Sequence, residues 1–314
     1  MELDNYEKLY RSMFEKTNGF VLNWPIGRTV DLGNFFTIKP GNLSVVGKVS
    51  DKNMEMIYFD PYENDDINFS VPSAEPDKKE RARIGKSVPP DYLWKLKDGC
   101  VNDYVGDKIL HTHKHKIKPP QVKQFVTRLE NPSSFFFAGK NVKYKRVLDF
   151  YKVHQRIIRR LATQFFNYNE IYLITEVAEM DQFSLGVSRG NEAELVMSPE
   201  EYFNGDILEL VNTDYPVTVE KADRFQYLKI REKEMVGSIA FKALKMSLSM
   251  KAKEAVVRKI YDSQDSEVRA NAVELINNDL NNVIPSIEIN SSNASDFFEW
   301  GPMGLEDLEV FLGK

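Results

Sequence analysis

The sequence predicts an α+β protein with a mainly antiparallel, twisted sheet and peripheral helices. Three observations lead there. Short apolar runs recur between Gly, Pro and Asn clusters across the first 60 residues, the spacing of antiparallel hairpins. Residues 243–251 (Ala-Leu-Lys-Met-Ser-Leu-Ser-Met-Lys) alternate apolar and polar side chains at period two. The chain carries 20 Phe and 14 Tyr, the aromatic complement of a sheet-rich core. Regular strand–helix alternation and the glycine patterns of nucleotide-binding loops are both missing, which argues against a parallel nucleotide-binding sheet.

The first helix is expected over residues 5–16. Tyr6, Leu9, Tyr10, Met13 and Phe14 share helical spacing, and Asp4 or Asn5 can cap it. Strands are expected at 20–22, 34–38, 43–49 and 54–59. Residues 60–98 are polar and proline-rich and read as loops. Residues 108–118 read as a basic strand, and 134–137 as a short buried one.

A long helix is expected over 142–166. Tyr144, Val147, Leu148, Tyr151, Ile158, Leu161 and Phe165 form its apolar stripe, opposite a basic face. Strands follow at 170–177 and 182–187, with a strand-rich stretch over 206–230. A helical pair is expected at 252–261 and 266–280, and an Asn- and Ser-rich linker at 282–296. Three parts result: an α+β body over 1–281, the linker, and a tail over 297–314 that docks on the body.

Composition limits the function classes. A net charge of -5 gives no global attraction to nucleic acid. One cysteine, Cys100, cannot close an internal disulfide, so a reducing, cytoplasmic setting is expected. The acidic start lacks the basic and apolar regions of a signal peptide. No apolar run approaches the roughly 18 residues of a spanning helix, so membrane contact is expected to be peripheral or through strands.

Gly186-Val-Ser-Arg-Gly190 matches the nucleophile elbow G-x-S-x-G, in which a strained strand-to-helix turn exposes the serine beside a histidine. All four histidines, His111, His113, His115 and His154, precede Ser188, and no helical pattern follows Gly190. The motif therefore reads as a hairpin tip, and no catalytic residue is assigned. His111, His113 and His115 can share one strand face and bind zinc or nickel. Lys114, Lys116 and Lys118 crowd that segment, which reads equally as a solvated basic strand, and no metal or other cofactor is assigned. Cys100 can pair with His111 as a nucleophile or sit as a small packed thiol.

The strongest electrostatic feature is the basic set Lys140, Lys143, Lys145, Arg146, Lys152, Arg156, Arg159 and Arg160, with Asp149 the one acid among them. Such a set suits an anionic partner: acidic lipid, nucleic acid or an acidic protein. In the tail, Phe297, Trp300, Leu305, Leu308 and Phe311 need an apolar surface to cover.

Two stretches resemble gasdermin-type pore-forming domains of the bacterial kind. Asn169-Glu-Ile-Tyr-Leu-Ile-Thr-Glu-Val177 is similar to the family's strand that follows a helix. Val236-Gly-Ser-Ile-Ala-Phe-Lys242, running on to Lys251, resembles its amphipathic strand near the end of the pore-forming domain. The N-terminal cysteine that many bacterial members acylate has no counterpart in residues 1–20. The resemblance implies a defence protein that an activating protease releases from its inhibitory tail. It then joins an acidic membrane as a homo-oligomer. Ile239, Phe241, Leu244, Met246, Leu248 and Met250 would line the inserting strand. The alternative is a non-enzymatic adaptor that holds an acidic protein or nucleic acid on the 142–166 helix.

Overall fold

The computed structural model describes residues 3–23, 30–49, 54, 56–59, 75–76, 92–109, 121–148, 153, 171–199, 203, 210–211, 217–231, 238–249, 254 and 298–314. The chain is an α+β fold with a large antiparallel sheet. A 3-10 turn, Leu3–Tyr6, leads into helix α1 (Glu7–Lys16), which buries Leu9, Tyr10 and Met13 at helical spacing. Because that turn precedes it, Tyr6 takes the N-cap place with no side-chain cap, and the expected capping by Asp4 or Asn5 is not seen.

The strands are β1 (Val21–Leu22), β2 (Asn34–Lys39), β3 (Asn42–Lys48), β4 (Met56–Phe59), β5 (Glu75–Pro76), β6 (Tyr92–Asp98), β7 (Cys100–Ile109), β8 (Gln121–Leu129), β9 (Phe135–Val147), β10 (Ile171–Glu179), β11 (Gln182–Ser188), β12 (Ala193–Pro199), β13 (Val217–Asp223), β14 (Phe225–Arg231), β15 (Ala240–Leu248) and β16 (Phe298–Pro302). Helix α2 (Leu305–Leu312) follows β16. The strands expected near residues 20, 34, 43, 54, 170, 182 and 243 are all present within a few residues of their expected bounds.

Three expectations are corrected. Residues 142–147 are strand, not helix: β9 runs unbroken to Val147. Val142 and Tyr144 are buried two apart, which is the strand period, while Val147 and Leu148 completed a false helical stripe. Residues 92–98 are strand rather than loop, with Trp94 and Leu96 buried on one face. The prolines and charges upstream concealed that alternation. Within the 206–230 stretch Leu210 and Val211 are helical, and both are fully buried. The expected segment 108–118 beyond Ile109, the helical pair and the linker lie outside the described residues.

The chain divides into two compact units. The first comprises Met1–Thr29, Tyr58–Lys145 and Val177–Phe241. In it β6, β9, β11 and β14 pair antiparallel in that order. A second sheet orders β7, β8, β12 and β13. Trp94 donates its indole N–H to Tyr144 Oη at 2.6 Å, and Phe20 packs edge-on against Trp94. Both partners of that hydrogen bond are buried, so it satisfies a donor that water cannot reach.

The second unit comprises Val30–Ile57, Arg146–Glu176 and Lys242–Lys314. Strands β2 and β3 form a hairpin around Pro40-Gly41, where Gly41 has φ 70. Phe35 and Phe36 pair with Leu173 and Tyr172 of β10, and the rings of Phe36 and Tyr172 stack. Strand β16 pairs along β15 from Leu244↔Pro302 to Leu248↔Phe298. Helix α2 buries Asp307, Leu308, Phe311 and Leu312.

Candidate functional site

The two sheets of the first unit are continuous, strand for strand. β6 leads into β7, β8 into β9, β11 into β12 and β13 into β14, and the lateral order is the same in both sheets. A four-stranded ribbon therefore turns a corner along one line. The corner falls at Gly99, at residues 130–134, at residues 189–192 and at Arg224. Gly99, Ser133, Glu192 and Arg224 all have positive φ there, between 49 and 64. That is the left-handed backbone a sharp change of direction requires and that non-glycine residues seldom adopt.

Gly99 is constrained twice, because a Cβ on it would also collide with the Ser134 side chain. Backbone bonds knit the strands together across the corner. Glu130 N–H donates to Gly99 O, Ser188 N–H to Ser134 O, and Arg189 N–H to Arg224 O.

The hairpin-tip reading of Gly186–Gly190 is corrected by this geometry. Strand β11 pairs with β9 and β14, while β12 pairs with β8 and β13, so the turn joins two sheets instead of closing a hairpin. Ser188 is fully buried, and its hydroxyl donates to Gly190 O. A strand follows it, as the sequence suggested.

Folding at the corner gives the second sheet two unlike faces. Phe125, Leu129, Ala193, Leu195 and Met197 turn inward and meet Phe136, Ala138 and Phe225 of the first sheet. The outer face is mostly polar, around a paired Val126 and Val196. Glu194 accepts from Lys221 at 2.9 Å and from Arg128 at 3.3 Å, and Glu220 accepts from Gln124 at 2.6 Å and Ser198 at 2.8 Å. The hydrogen bond from Lys221 holds the Glu194 carboxyl below its ordinary value.

The predicted basic set is split. Lys140, Lys143, Lys145 and Arg146 lie on β9, not on a helix. Lys145 sits 3.5 Å from the Glu179 carboxylate and over the Tyr58 ring. Tyr58 donates to the same carboxylate, and that bond pushes its phenol up to about 12. Lys152, Arg156, Arg159 and Arg160 lie outside the described residues, as do all four histidines and Phe297. Among the described residues no cluster of His, Cys, Asp or Glu could hold a metal, and no helix is long and apolar enough to cross a membrane. Burial pushes the Cys100 thiol up to about 11, which leaves little nucleophilic thiolate at neutral pH.

Of the predicted inserting residues, Ile239, Phe241 and Met246 are buried and Leu244 is half-buried. Leu248 ends β15 opposite Phe298, and Met250 lies outside the described residues. Sequence reasoning missed Asp307 and Lys245, which bind each other at 2.8 Å. Asp307 is 2% exposed and also accepts from Tyr172 Oη and from Gly304 N–H, each at 2.8 Å. The available signal was an acid at N3 of a short helix behind an apolar strand. A second ion pair, Lys242 to Glu176 at 3.4 Å, lies on β15 and β10, and burial pushes the Lys242 ammonium down.

No protein-family model matches the chain, and no curated protein matches it.

Proposed function

We propose that the chain is a non-enzymatic, gasdermin-like pore-forming protein of the cytoplasm, held inactive by its C-terminal segment. The observation that carries this reading is the folded ribbon. Its outer half consists of β7, β8, β12 and β13, of 10, 9, 7 and 7 residues. A membrane-crossing strand needs about 9–11 residues, so modest extension of these strands suffices. Along β12, Ala193, Leu195 and Met197 share the inner face with Phe125 and Leu129 of β8, while Glu194, Ser198, Gln124 and Arg128 face outward beside Val126 and Val196, a largely apolar-in, polar-out division of the kind that suits lipid on one face and water on the other. In the folded form the apolar face is covered by Phe136 and Phe225. Straightening the corner would uncover it, and within the outer half the same residues would still share a face.

Four strands cannot close a barrel, so insertion requires homo-oligomerisation. Lys140, Lys143, Lys145 and Arg146 would add attraction to acidic lipid, at most about 1 kcal/mol each near the surface. This reading moves the inserting element from β15 to the ribbon, and leaves β15 as the strand on which the tail docks. The tail holds β15 by the backbone ladder of β16 and by the Lys245–Asp307 pair.

The test is dye release from phosphatidylserine-containing vesicles. The protein is compared intact and after protease cleavage between residues 282 and 296. Release by the cleaved form alone is the expected result. A cleaved protein that remains folded and releases nothing overturns the pore reading and favours the adaptor, with β9 as its basic surface.

A further inference from the structure

We infer that Phe203, Leu210 and Val211, which fall between β12 and β13 in sequence, act as a bolt: they occupy the apolar cleft of the folded ribbon and keep its two halves together. The inference rests on the reading of that ribbon as the inserting element. The topology itself asks for no such connection. Pro199 and Val217 are paired neighbours, and a two-residue turn would join them. The sequence instead sets residues 200–216 between them.

The described residues of that stretch, Phe203, Leu210 and Val211, all pack into the cleft. Leu210 and Val211 are fully buried in the cluster that holds Phe125 and Leu195 of one half and Phe136 and Phe225 of the other. The Phe203 ring meets Phe125 edge-on at 5.9 Å, which ties the connection to β8 in the outer half. Val211 O accepts a hydrogen bond at 2.7 Å from Ser184 Oγ, which ties it to β11 in the inner half. Ser184 is 1% exposed and Val211 is fully buried, so opening the cleft takes a shielded donor from the Val211 carbonyl until solvent enters. One short stretch thus grips both halves, and its withdrawal removes the side chains that fill the space between them.

The chain carries its own reporter. Cys100, its one cysteine, is half-buried against this same cluster. Opening of the ribbon would expose it while α1 and the first sheet stay folded.

The experiment measures maleimide labelling of Cys100 at neutral pH in the full chain, with Leu210→Ser and Ser184→Ala beside the parent and far-UV circular dichroism as the check on folding. Leu210→Ser is expected to label about tenfold faster with an unchanged spectrum. A folded Leu210→Ser protein that labels at the parent's rate overturns the bolt. Should that variant not fold, Ser184→Ala decides: labelling severalfold faster supports the bolt, and an unchanged rate overturns it. Phosphatidylserine vesicles separate this inference from the one beneath it. Fast labelling with no leakage from either variant or the cleaved parent keeps the bolt and sinks the pore reading. Leakage from the cleaved parent, with both variants labelling at the parent's rate, does the reverse.

Discussion

Lys245 and Asp307 meet at 2.8 Å, one on β15 and the other in the first turn of α2, and Asp307 is almost wholly removed from water. The carboxylate also takes the Tyr172 hydroxyl and the Gly304 amide, so three groups depend on one side chain. Asp307→Ala is expected to lower stability by about 3 kcal/mol, because it strands a half-buried ammonium and a buried phenol together. Lys245→Met is expected to cost a similar amount by leaving the carboxylate without its counter-charge. The double variant Asp307→Leu with Lys245→Met should be less damaging than the sum of the single variants, since a buried pair is replaced as a unit. Urea denaturation of the four proteins reads this out, and strict additivity would show that the pair is not coupled.

Tyr144→Phe is expected to destabilise by about 1–3 kcal/mol. The phenol accepts the buried indole N–H of Trp94, and the ring that replaces it offers no acceptor. Thermal unfolding followed by Trp fluorescence measures this. A change within a few tenths of a kcal/mol would mean that the indole finds another acceptor.

Gly99→Ala is expected to cost about 1–3 kcal/mol, from the φ of 59 and from the clash with Ser134 together. Gly190→Ala, a few residues away along the corner, should be far milder, because a Cβ there meets the Arg224 side chain at no closer than 3.6 Å. Equal losses in the two variants would remove the special status of Gly99.

Labelling of Cys100 in the folded protein should rise about tenfold per pH unit from pH 8 to pH 10, because burial moves the thiol to about 11. The folded value lies above the unfolded one, so the linked stability is complete below the ordinary thiol value. It fades as pH climbs toward 11. A labelling rate that levels off near pH 9 would show that the thiol titrates as a free one.

Much of the fold was legible because some segments carry short, strongly apolar patterns. Strands β10 and β11 read as short apolar runs and are buried on both faces, β15 shows period-two alternation in sequence, and Leu305, Leu308, Phe311 and Leu312 announce α2 through three- and four-residue spacing. Strand β9 was misread from Val142 onward because Tyr144, Val147 and Leu148 satisfy a helical stripe as well as the end of a long strand. Strand β6 was missed because Trp94 and Leu96 stand among lysines and behind a proline-rich segment. The corner left one local mark, Gly99. Its other positive φ values fall on Ser133, Glu192 and Arg224, residue types that do not advertise such a conformation. Asp307 looked like one more acid of a polar tail, since nothing nearby in sequence names Tyr172 or Lys245 as its partners.

The corner also fixes how many residues the chain must spend in turning. Gly186 lies on the inner face, where a Cβ would strike the rings of Phe136 and Phe225, and Ala193 lies on that face too. Their separation is odd (193 − 186 = 7), so the turn reverses the phase that an unbroken strand would keep. Deleting a single residue between 189 and 192 would rotate β12 and carry Glu194, Val196 and Ser198 onto the apolar side, with Leu195 and Met197 turned to water. Surface turns ordinarily drift in length between related proteins. In this one, length is tied to which face of the sheet is wet, and relatives of the chain should vary there in residue type while keeping the count.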